Sequence, residues 1–368
     1  MRDGMEMLLL LLRGGACDPG TDDAALAAML ALADEERVLP WAAARLRAGG
    51  AAMQPAIAAR LDEIERLAAL EAFFWCSQLK GLLHAFDKAG VEVVPLKGPF
   101  LAERLYGAPA LRACRDIDLL VAASDLSRAD DVLRDAEFAA GEADDYHRPW
   151  RRHSTVVELH HDVENPLAFN FHTESALGRA RPALFCGERC LVLRPEDELL
   201  FLCLHAARHR FERLSLVLDL QLAFERVPNP RMWSPRPQVC RLGSLLVLGH
   251  AMARRLKPGP QFAAPVSISP RQTRHLDRLA GKLWQRLMNR PAQPLDWRRA
   301  HAFYAEMEAT VWARVRRRTG DARILMTRVI GPDYAFAARF GLRRTWQARL
   351  LRPLRLLSEI AISMARTA

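Results

Sequence analysis

The sequence contains few cysteines, and their arrangement excludes two classes of protein. The seven cysteines are odd in number and stand without repeated spacing at positions 17, 76, 114, 186, 190, 203 and 240. This scatter does not form a disulfide framework. Cys186 and Cys190 have no second cysteine pair or nearby histidine to complete a zinc site. We therefore expect reduced, mostly buried thiols in a cytoplasmic protein.

Long apolar runs and internal repeats are also lacking. Met7–Leu12 is a run of six apolar residues, far short of the roughly 20 that a membrane-spanning helix needs. We interpret it as part of a buried helix and expect no membrane span. The chain has 368 residues, of which 50% are hydrophobic and 26% charged. This composition is typical of a globular protein with room for more than one domain.

Lysine is scarce, because arginine outnumbers it 48 to 5 in a chain of net charge +10. Thirteen arginines and three acidic residues lie between positions 311 and 368, so this segment alone carries an excess equal to the net charge of the whole chain. Such a segment could bind nucleic acid or phosphates, or it could be a solvated helix face. No aromatic-rich RNA-binding motif accompanies it.

Apolar residues at three- and four-residue spacing predict a mainly helical chain with one β-containing region. Three short β-rich runs lie at 91–96, 116–121 and 154–160. Helices are predicted at 22–46, 57–89, 100–106, 124–136, 196–209 and 214–224. The region 88–165 thus has the order strand, helix, strand, helix, strand. We predict a helical region over 1–87, a β-containing core over 88–165, a helical domain over 166–300 and a basic helical region over 301–368.

Two aspartates mark the start of the second β-rich run. Asp116 directly precedes the mainly apolar sequence Ile117–Val121, and Asp118 lies within it. In a strand, residues two apart point to the same face. Adjacent carboxylates repel each other unless a cation joins them, and oxygen ligands of this kind suit Mg²⁺. The pair could instead be a turn or capping pair before a buried strand.

A third carboxylate candidate lies in the last β-rich run. Glu158 shares a strand face with Val156 and His160 by period-two alternation. If this strand neighbours the Asp116 strand, Glu158 completes a three-carboxylate cluster; otherwise it is an ordinary edge-strand residue. We interpret His160, His161, His205 and His209 as structural.

Several segments together resemble the bacterial uncharacterised nucleotidyltransferase family of the polymerase-β-like nucleotidyltransferase superfamily. The resemblance covers roughly residues 25 to 225, with a weaker match at Leu351–Arg355. Its segments are Leu96–Gly98, Leu105–Gly107, Arg115–Val121, Val157–His160, Leu193–Leu200, Leu204–His209 and Leu216–Leu220. The resemblance implies an α+β fold, in which a small mixed β-sheet nucleotidyltransferase core is embedded in a mainly helical protein.

The resemblance also implies a reaction. Two Mg²⁺ ions would be held by Asp116, Asp118 and Glu158, and an acceptor would attack the α-phosphorus of a nucleoside triphosphate such as ATP, releasing pyrophosphate. Gly98 would let backbone N–H groups approach phosphate, and Lys97 would contact it as a point charge. Arg112 and Arg115 are further candidates for phosphate contact, unless they only balance the aspartates.

The sequence departs from the superfamily pattern near Gly98. A Gly-Ser pair commonly stands there, whereas this chain has Lys97-Gly98, and its third carboxylate is Glu rather than the commoner Asp. Members of the family are often encoded near biosynthetic clusters, which implies a natural-product or cell-surface acceptor, whether a small molecule, a peptide or a protein. Two alternatives remain: a catalytically inactive, antitoxin-like binding protein, and a nucleic-acid binder that uses the Arg-rich C-terminus.

Overall fold

The computed structural model describes residues 2–18, 21–50, 53–142, 146–163, 169, 171–227, 240–258, 268–289, 303–304 and 306–308. The chain divides into two compact units, Met1–Phe303 and Tyr304–Ala368, and all elements named below belong to the first. The Arg-rich segment 311–368 lies outside the described residues. The predicted division into four regions stays a prediction.

Eleven α-helices are present in the described part of the chain. They are α1 (Arg2–Leu12), α2 (Asp23–Glu35), α3 (Leu39–Ala48), α4 (Pro55–Lys88), α5 (Gly98–Tyr106), α6 (Leu126–Asp135), α7 (Thr173–Leu177), α8 (Pro195–Arg208), α9 (Leu214–Arg226), α10 (Cys240–Leu256) and α11 (Pro270–Asn289). None of them combines the length and the hydropathy that crossing a bilayer would require.

Seven strands form two sheets in the same part of the chain. They are β1 (Val94–Pro95), β2 (Ile117–Leu120), β3 (Ala139–Ala140), β4 (His147–Arg152), β5 (Thr155–His160), β6 (Arg181–Phe185) and β7 (Glu188–Val192). The larger sheet has the order β1-β2-β5-β4-β3 and the smaller is the β6–β7 hairpin. Only β2 and β5 pair in parallel, so the larger sheet is mixed and the predicted α+β class is confirmed.

One face of the central strands builds the core. Ile117 and Leu119 on β2, and Val157 and Leu159 on β5, are at most 1% exposed. They belong to the apolar cluster that includes residues from α4 and α6. Because side chains alternate along a strand, this burial turns the intervening Asp118 and Glu158 to the opposite face.

Strands β3 and β4 and the β6–β7 hairpin were not predicted. Strand β4 reads His-Arg-Pro-Trp-Arg-Arg, and only Trp150 in it is buried, so it lacks the apolar alternation by which strands are recognised. It joins β5 through the two residues His153 and Ser154, and His153 adopts a positive φ of 51° without the usual Asn-Gly signal. Pairing with β5 therefore decides its structure.

Candidate active site

The register of the sheet brings two predicted carboxylates side by side. Asp118 on β2 is the direct partner of Glu158 on β5 across the parallel pair. Both point to the face opposite the apolar core. The condition that sequence left open, that these two strands are neighbours, is met.

His160 joins the two carboxylates. Its Nε2 lies 3.2 Å from Asp118 Oδ1 and 3.5 Å from Glu158 Oε2. One ligand atom from each of the three side chains lies within 4.8 Å of the others, an arrangement compatible with a metal ion. Sequence reasoning assigned His160 a structural role; its alternation with Glu158 was the signal that could have placed it here.

Lys97 supplies a cation to this cluster. Its Nζ lies 2.9 Å from Asp118 Oδ1, and the two side chains are 11% and 0% exposed. The second oxygen of the same carboxylate, Asp118 Oδ2, is buried and has no hydrogen-bond partner. A buried carboxylate oxygen without a partner is costly in free energy, so this oxygen is open to a further cation.

The charges of the cluster shift one another's pKa values. Burial alone would raise the pKa of Asp118, but the Lys97 ammonium and the hydrogen bond to His160 outweigh it and hold that pKa below its ordinary value. Burial lowers the pKa of His160, yet its contacts with Asp118 and Glu158 raise it overall. The first shift favours the ionised carboxylate of Asp118, and the second favours the protonated imidazole of His160.

Asp116 lines the same cavity but is not part of the close cluster. It precedes β2 rather than lying within it. Burial and the neighbouring Asp118 carboxylate raise the pKa of Asp116, against the lowering effect of Lys97. A divalent cation near both aspartates would relieve this repulsion.

Gly98 begins α5 with a φ of +68°, a conformation that residues with a side chain rarely adopt. A Cβ on this residue would lie 3.5 Å from the backbone oxygen of Asp116, in ordinary contact. Glycine is therefore required by the backbone conformation, which sets the start of α5 beside the aspartates.

Arg112 is held by a carboxylate that the sequence did not indicate. Its Nε and Nη2 each donate to Asp219 on α9 at 2.9 Å, and the hydroxyl of Tyr106 donates to the same carboxylate at 2.6 Å. This pairing raises the pKa of the Arg112 guanidinium, even though burial opposes it. Phosphate contact by Arg112 stays a prediction. Arg115 is exposed and lines the cavity.

One cavity of about 660 Å³, a volume suited to a nucleotide-sized ligand, is bordered by seven of these residues: Lys97, Arg112, Arg115, Asp116, Asp118, Glu158 and His160. The turn after α2, the end of α8 and the residues between α8 and α9 add further side chains to it. Arg37, Arg208 and Arg213 were missed from the sequence, and His205 and His209 were interpreted as structural. No local pattern connects residues so far apart along the chain.

His205 on α8 and His209, which directly follows that helix, are neutral cavity residues. Burial lowers the pKa of His205 well below its ordinary value, and the Lys97 charge adds to this effect. Burial and Lys97 likewise lower the pKa of His209 to about 4. They therefore contribute hydrogen-bonding rings rather than charge at neutral pH.

The residues present fit a divalent metal ion. Asp118 and Glu158 offer carboxylate oxygens, His160 offers an imidazole nitrogen, and the unpartnered Asp118 Oδ2 lacks a donor or cation. Carboxylates suit Mg²⁺ and Mn²⁺, whereas the imidazole favours Mn²⁺ over Mg²⁺. A second cavity of about 470 Å³, between the end of α4 and the β6–β7 hairpin, contains none of these ligands.

Comparison with known proteins gives one family. The uncharacterised nucleotidyltransferase family matches residues 22–256, which includes every residue of the cluster. No curated protein matches the chain significantly.

Solved structures give weaker similarities. Two structures of the antibiotic-resistance factor ANT(2'')-Ia, one in solution and one a crystal complex with adenylyl-2''-tobramycin, are each 14% identical with a TM-score of 0.33. They cover 40% of this chain, and 81% and 86% of their own. A tRNA-processing enzyme is 13% identical with a TM-score of 0.24, over 78% of this chain and 90% of its own. Values this low support no inference about substrate.

Proposed function

The chain belongs to the uncharacterised nucleotidyltransferase family, and from that premise we propose that its cavity performs Mg²⁺-dependent transfer of a nucleoside monophosphate. The donor is a nucleoside triphosphate such as ATP, the acceptor carries a hydroxyl or phosphate, and pyrophosphate is released. The observation that carries the proposal is the buried cluster of Asp118, Glu158 and His160, with Asp118 Oδ2 unpartnered.

Two divalent ions are part of the proposal, as expected from the sequence. Asp116, Asp118 and Glu158 are the carboxylates proposed to hold them, and the position of His160 adds an imidazole ligand. When bound, such ions neutralise triphosphate charge and lower the pKa of the acceptor hydroxyl.

The transfer step exchanges one phosphorus–oxygen bond for another. The acceptor oxygen forms a bond to the α-phosphorus while the bond from that phosphorus to the bridging oxygen of the β-phosphate breaks, and pyrophosphate leaves with the electron pair. When the acceptor is a hydroxyl, its proton passes to Glu158, whose side chain is 30% exposed while those of Asp118 and His160 are at most 3% exposed.

Residues at the start of α5 orient the donor. The N-terminal end of this helix at Gly98 presents backbone N–H groups and the positive end of the helix dipole, which favour phosphate. Lys97 precedes it, and its ammonium group contacts Asp118. If a metal ion bound that carboxylate, the Lys97 ammonium could contact a phosphate instead. The acceptor is proposed to be a small molecule, peptide or protein.

Nucleotide binding by calorimetry tests this proposal before any acceptor is known. We expect wild-type protein to bind at least one of the four nucleoside triphosphates only when Mg²⁺ is present. Asp118→Asn should abolish the binding, because it removes the carboxylate shared by Lys97 and His160. Asp131→Asn is the matched control, since its carboxylate is exposed and pairs only with Arg134 among the described residues.

Two results would count against the proposal. Binding that is equally tight with and without Mg²⁺ would exclude a metal–triphosphate site. Equal binding by wild type and Asp118→Asn would place the nucleotide away from the cluster.

A further inference from the structure

The cavity receives arginines from three separated parts of the chain. Arg37 lies in the turn between α2 and α3, Arg115 precedes β2, and Arg213 precedes α9. All three line the cavity that contains the carboxylate cluster.

Specific contacts hold the turn after α2 against the start of α9. The buried Glu36 carboxylate accepts the backbone N–H of Leu214 at 2.7 Å, and the Glu36 carbonyl accepts that of Ser215 at 3.3 Å. Arg213 Nη1 donates to the carbonyl oxygen of Glu35. These contacts bring Arg37 and Arg213 together and fix both at the cavity.

None of the three guanidinium groups forms an ion pair with a carboxylate in the described part of the chain, although Asp116 and Glu212 line the same cavity. Neither Arg37, Arg115 nor Arg213 has a carboxylate within ion-pair distance there, whereas Lys97 and Arg112 both do. The Nε of Arg37 is buried without a hydrogen-bond partner. Burial lowers the pKa of Arg37, and the nearby charges of Arg213 and Arg115 lower it further, whereas the Asp116 carboxylate partly opposes this shift.

Such an arrangement is unfavourable unless an anion joins it. Like charges in a partly buried cavity repel each other, and a buried N–H without an acceptor adds to the cost. Arginine forks match the oxygens of phosphate in paired, charge-assisted hydrogen bonds. The positive end of the α9 dipole lies beside Arg213 and adds to the attraction.

We propose that Arg37, Arg115 and Arg213 form an anion subsite that binds a phosphate group of a substrate. The subsite rests on the function proposed above, since it provides that reaction with a second point of attachment away from the metal ligands. Its phosphate comes either from the pyrophosphate end of the donor or from a phosphate-bearing acceptor. Both sources share the chemistry that the arginines recognise.

Inorganic pyrophosphate is the probe for this subsite. Calorimetric titration of the full-length protein in EDTA should show binding that weakens about tenfold or more in Arg37→Gln and in Arg115→Gln, because each loses charge-assisted hydrogen bonds. Arg115 is exposed, so its substitution leaves the fold intact, and thermal unfolding checks Arg37→Gln. Arg66→Gln is the control, since Arg66 is exposed on α4 and pairs with Glu63.

Two outcomes would overturn the subsite: no binding of pyrophosphate to wild type, or equal affinity in wild type and both variants. Repeating the titration with Mg²⁺ and each nucleoside triphosphate separates the two sources. If pyrophosphate and the nucleoside triphosphate compete for binding, the subsite belongs to the pyrophosphate end of the donor. If both bind at the same time, the subsite belongs to the acceptor.

The titration in EDTA also separates this proposal from the proposed function. Asp118→Asn removes a negative charge from the cavity and should keep pyrophosphate binding, although it loses Mg²⁺-dependent nucleotide binding. Failed pyrophosphate binding beside intact Mg²⁺-dependent nucleotide binding counts against the arginine subsite alone. The reverse result counts against the proposed function alone.

Discussion

At the scale of single residues, the account depends on buried charges that stabilise one another. Asp118 is fully buried, and its Oδ1 contacts both Lys97 and His160. Removing one partner from such a group leaves an uncompensated buried charge, which costs about 3–5 kcal/mol. Burying such charges costs folding free energy, and charged clusters of this kind are typical of functional sites. The cluster therefore agrees with a function in binding cations and phosphates.

His160 gives a prediction about metal affinity. His160→Gln should weaken Mn²⁺ binding by about 10- to 100-fold, the usual effect of altering a metal site's ligands or their supporting groups. Free Mn²⁺ measured by electron paramagnetic resonance during a titration gives the affinity. His153→Gln is the matched control, because His153 is exposed in the β4–β5 turn. Unchanged affinity in His160→Gln would exclude the imidazole from the site.

Residue identities predicted part of this site. The spacing of Asp116 and Asp118 and the alternation around Glu158 predicted side chains on one strand face, and Asp118 and Glu158 are direct neighbours in the sheet. His160 was interpreted as structural because a lone histidine at a strand end does not by itself indicate a metal ligand. The pairing of Arg112 with Asp219 joins residues 107 positions apart, so no local pattern could indicate it.

At the scale of elements, the start of α5 is the feature on which the proposed phosphate site depends. The predicted run 91–96 forms only the two-residue strand β1, and the chain then turns at Gly98 into the helix. Proline at the second helical position and Gly98 at the first were correct local signals. Strand β4 was missed because its polar residues become a strand only by pairing with β5.

Two glycine substitutions should have opposite effects on stability. Gly98→Ala forces a side chain into a φ of +68° and should lower the free energy of unfolding by about 1–2 kcal/mol. Gly81→Ala lies inside α4, where an added Cβ meets nothing within 4 Å, and should raise it by about 0.5–1 kcal/mol. Urea unfolding measures both; destabilisation by Gly81→Ala or none by Gly98→Ala would contradict these backbone assignments.

At the scale of the whole molecule, contacts between distant parts of the chain complete the cavity. Glu36, Asp118, Glu158 and Arg213 come from segments that sequence patterns treat separately. The helical character and the β-containing region could be predicted from local periodicity, and the family resemblance implied the small mixed sheet. The joining of the α2–α3 turn to α9 could not, because it depends on one buried carboxylate meeting one helix start.

The buried carboxyl group of Glu36 should make the stability of the fold depend on pH. Burial raises the pKa of Glu36, although the Leu214 N–H partly opposes the shift. The folded-state pKa of Glu36 lies above its unfolded value of about 4.5. The contribution of the protonated Glu36 side chain to the free energy of unfolding is therefore complete below that pH. It is lost as pH rises through the folded-state pKa.

Glu36→Gln should therefore be more stable than wild type at pH 7, and the difference should shrink as pH falls towards 4.5. Urea unfolding across this range measures it. Glu71→Gln removes the same formal charge from an exposed position on α4 and serves as the control. A constant difference across the pH range would show that Glu36 does not titrate with folding.

The central claim is that the metal, the His160 imidazole and the triphosphate meet at one site. Pulsed electron paramagnetic resonance of the protein with Mn²⁺ and the bound nucleotide tests it in a single spectrum. We predict couplings from both ³¹P of the nucleotide and ¹⁴N of the imidazole, with the ¹⁴N coupling absent in His160→Gln. A spectrum of wild type with ³¹P coupling alone would contradict the account, because the metal bound to the nucleotide would then lack the His160 imidazole as a ligand.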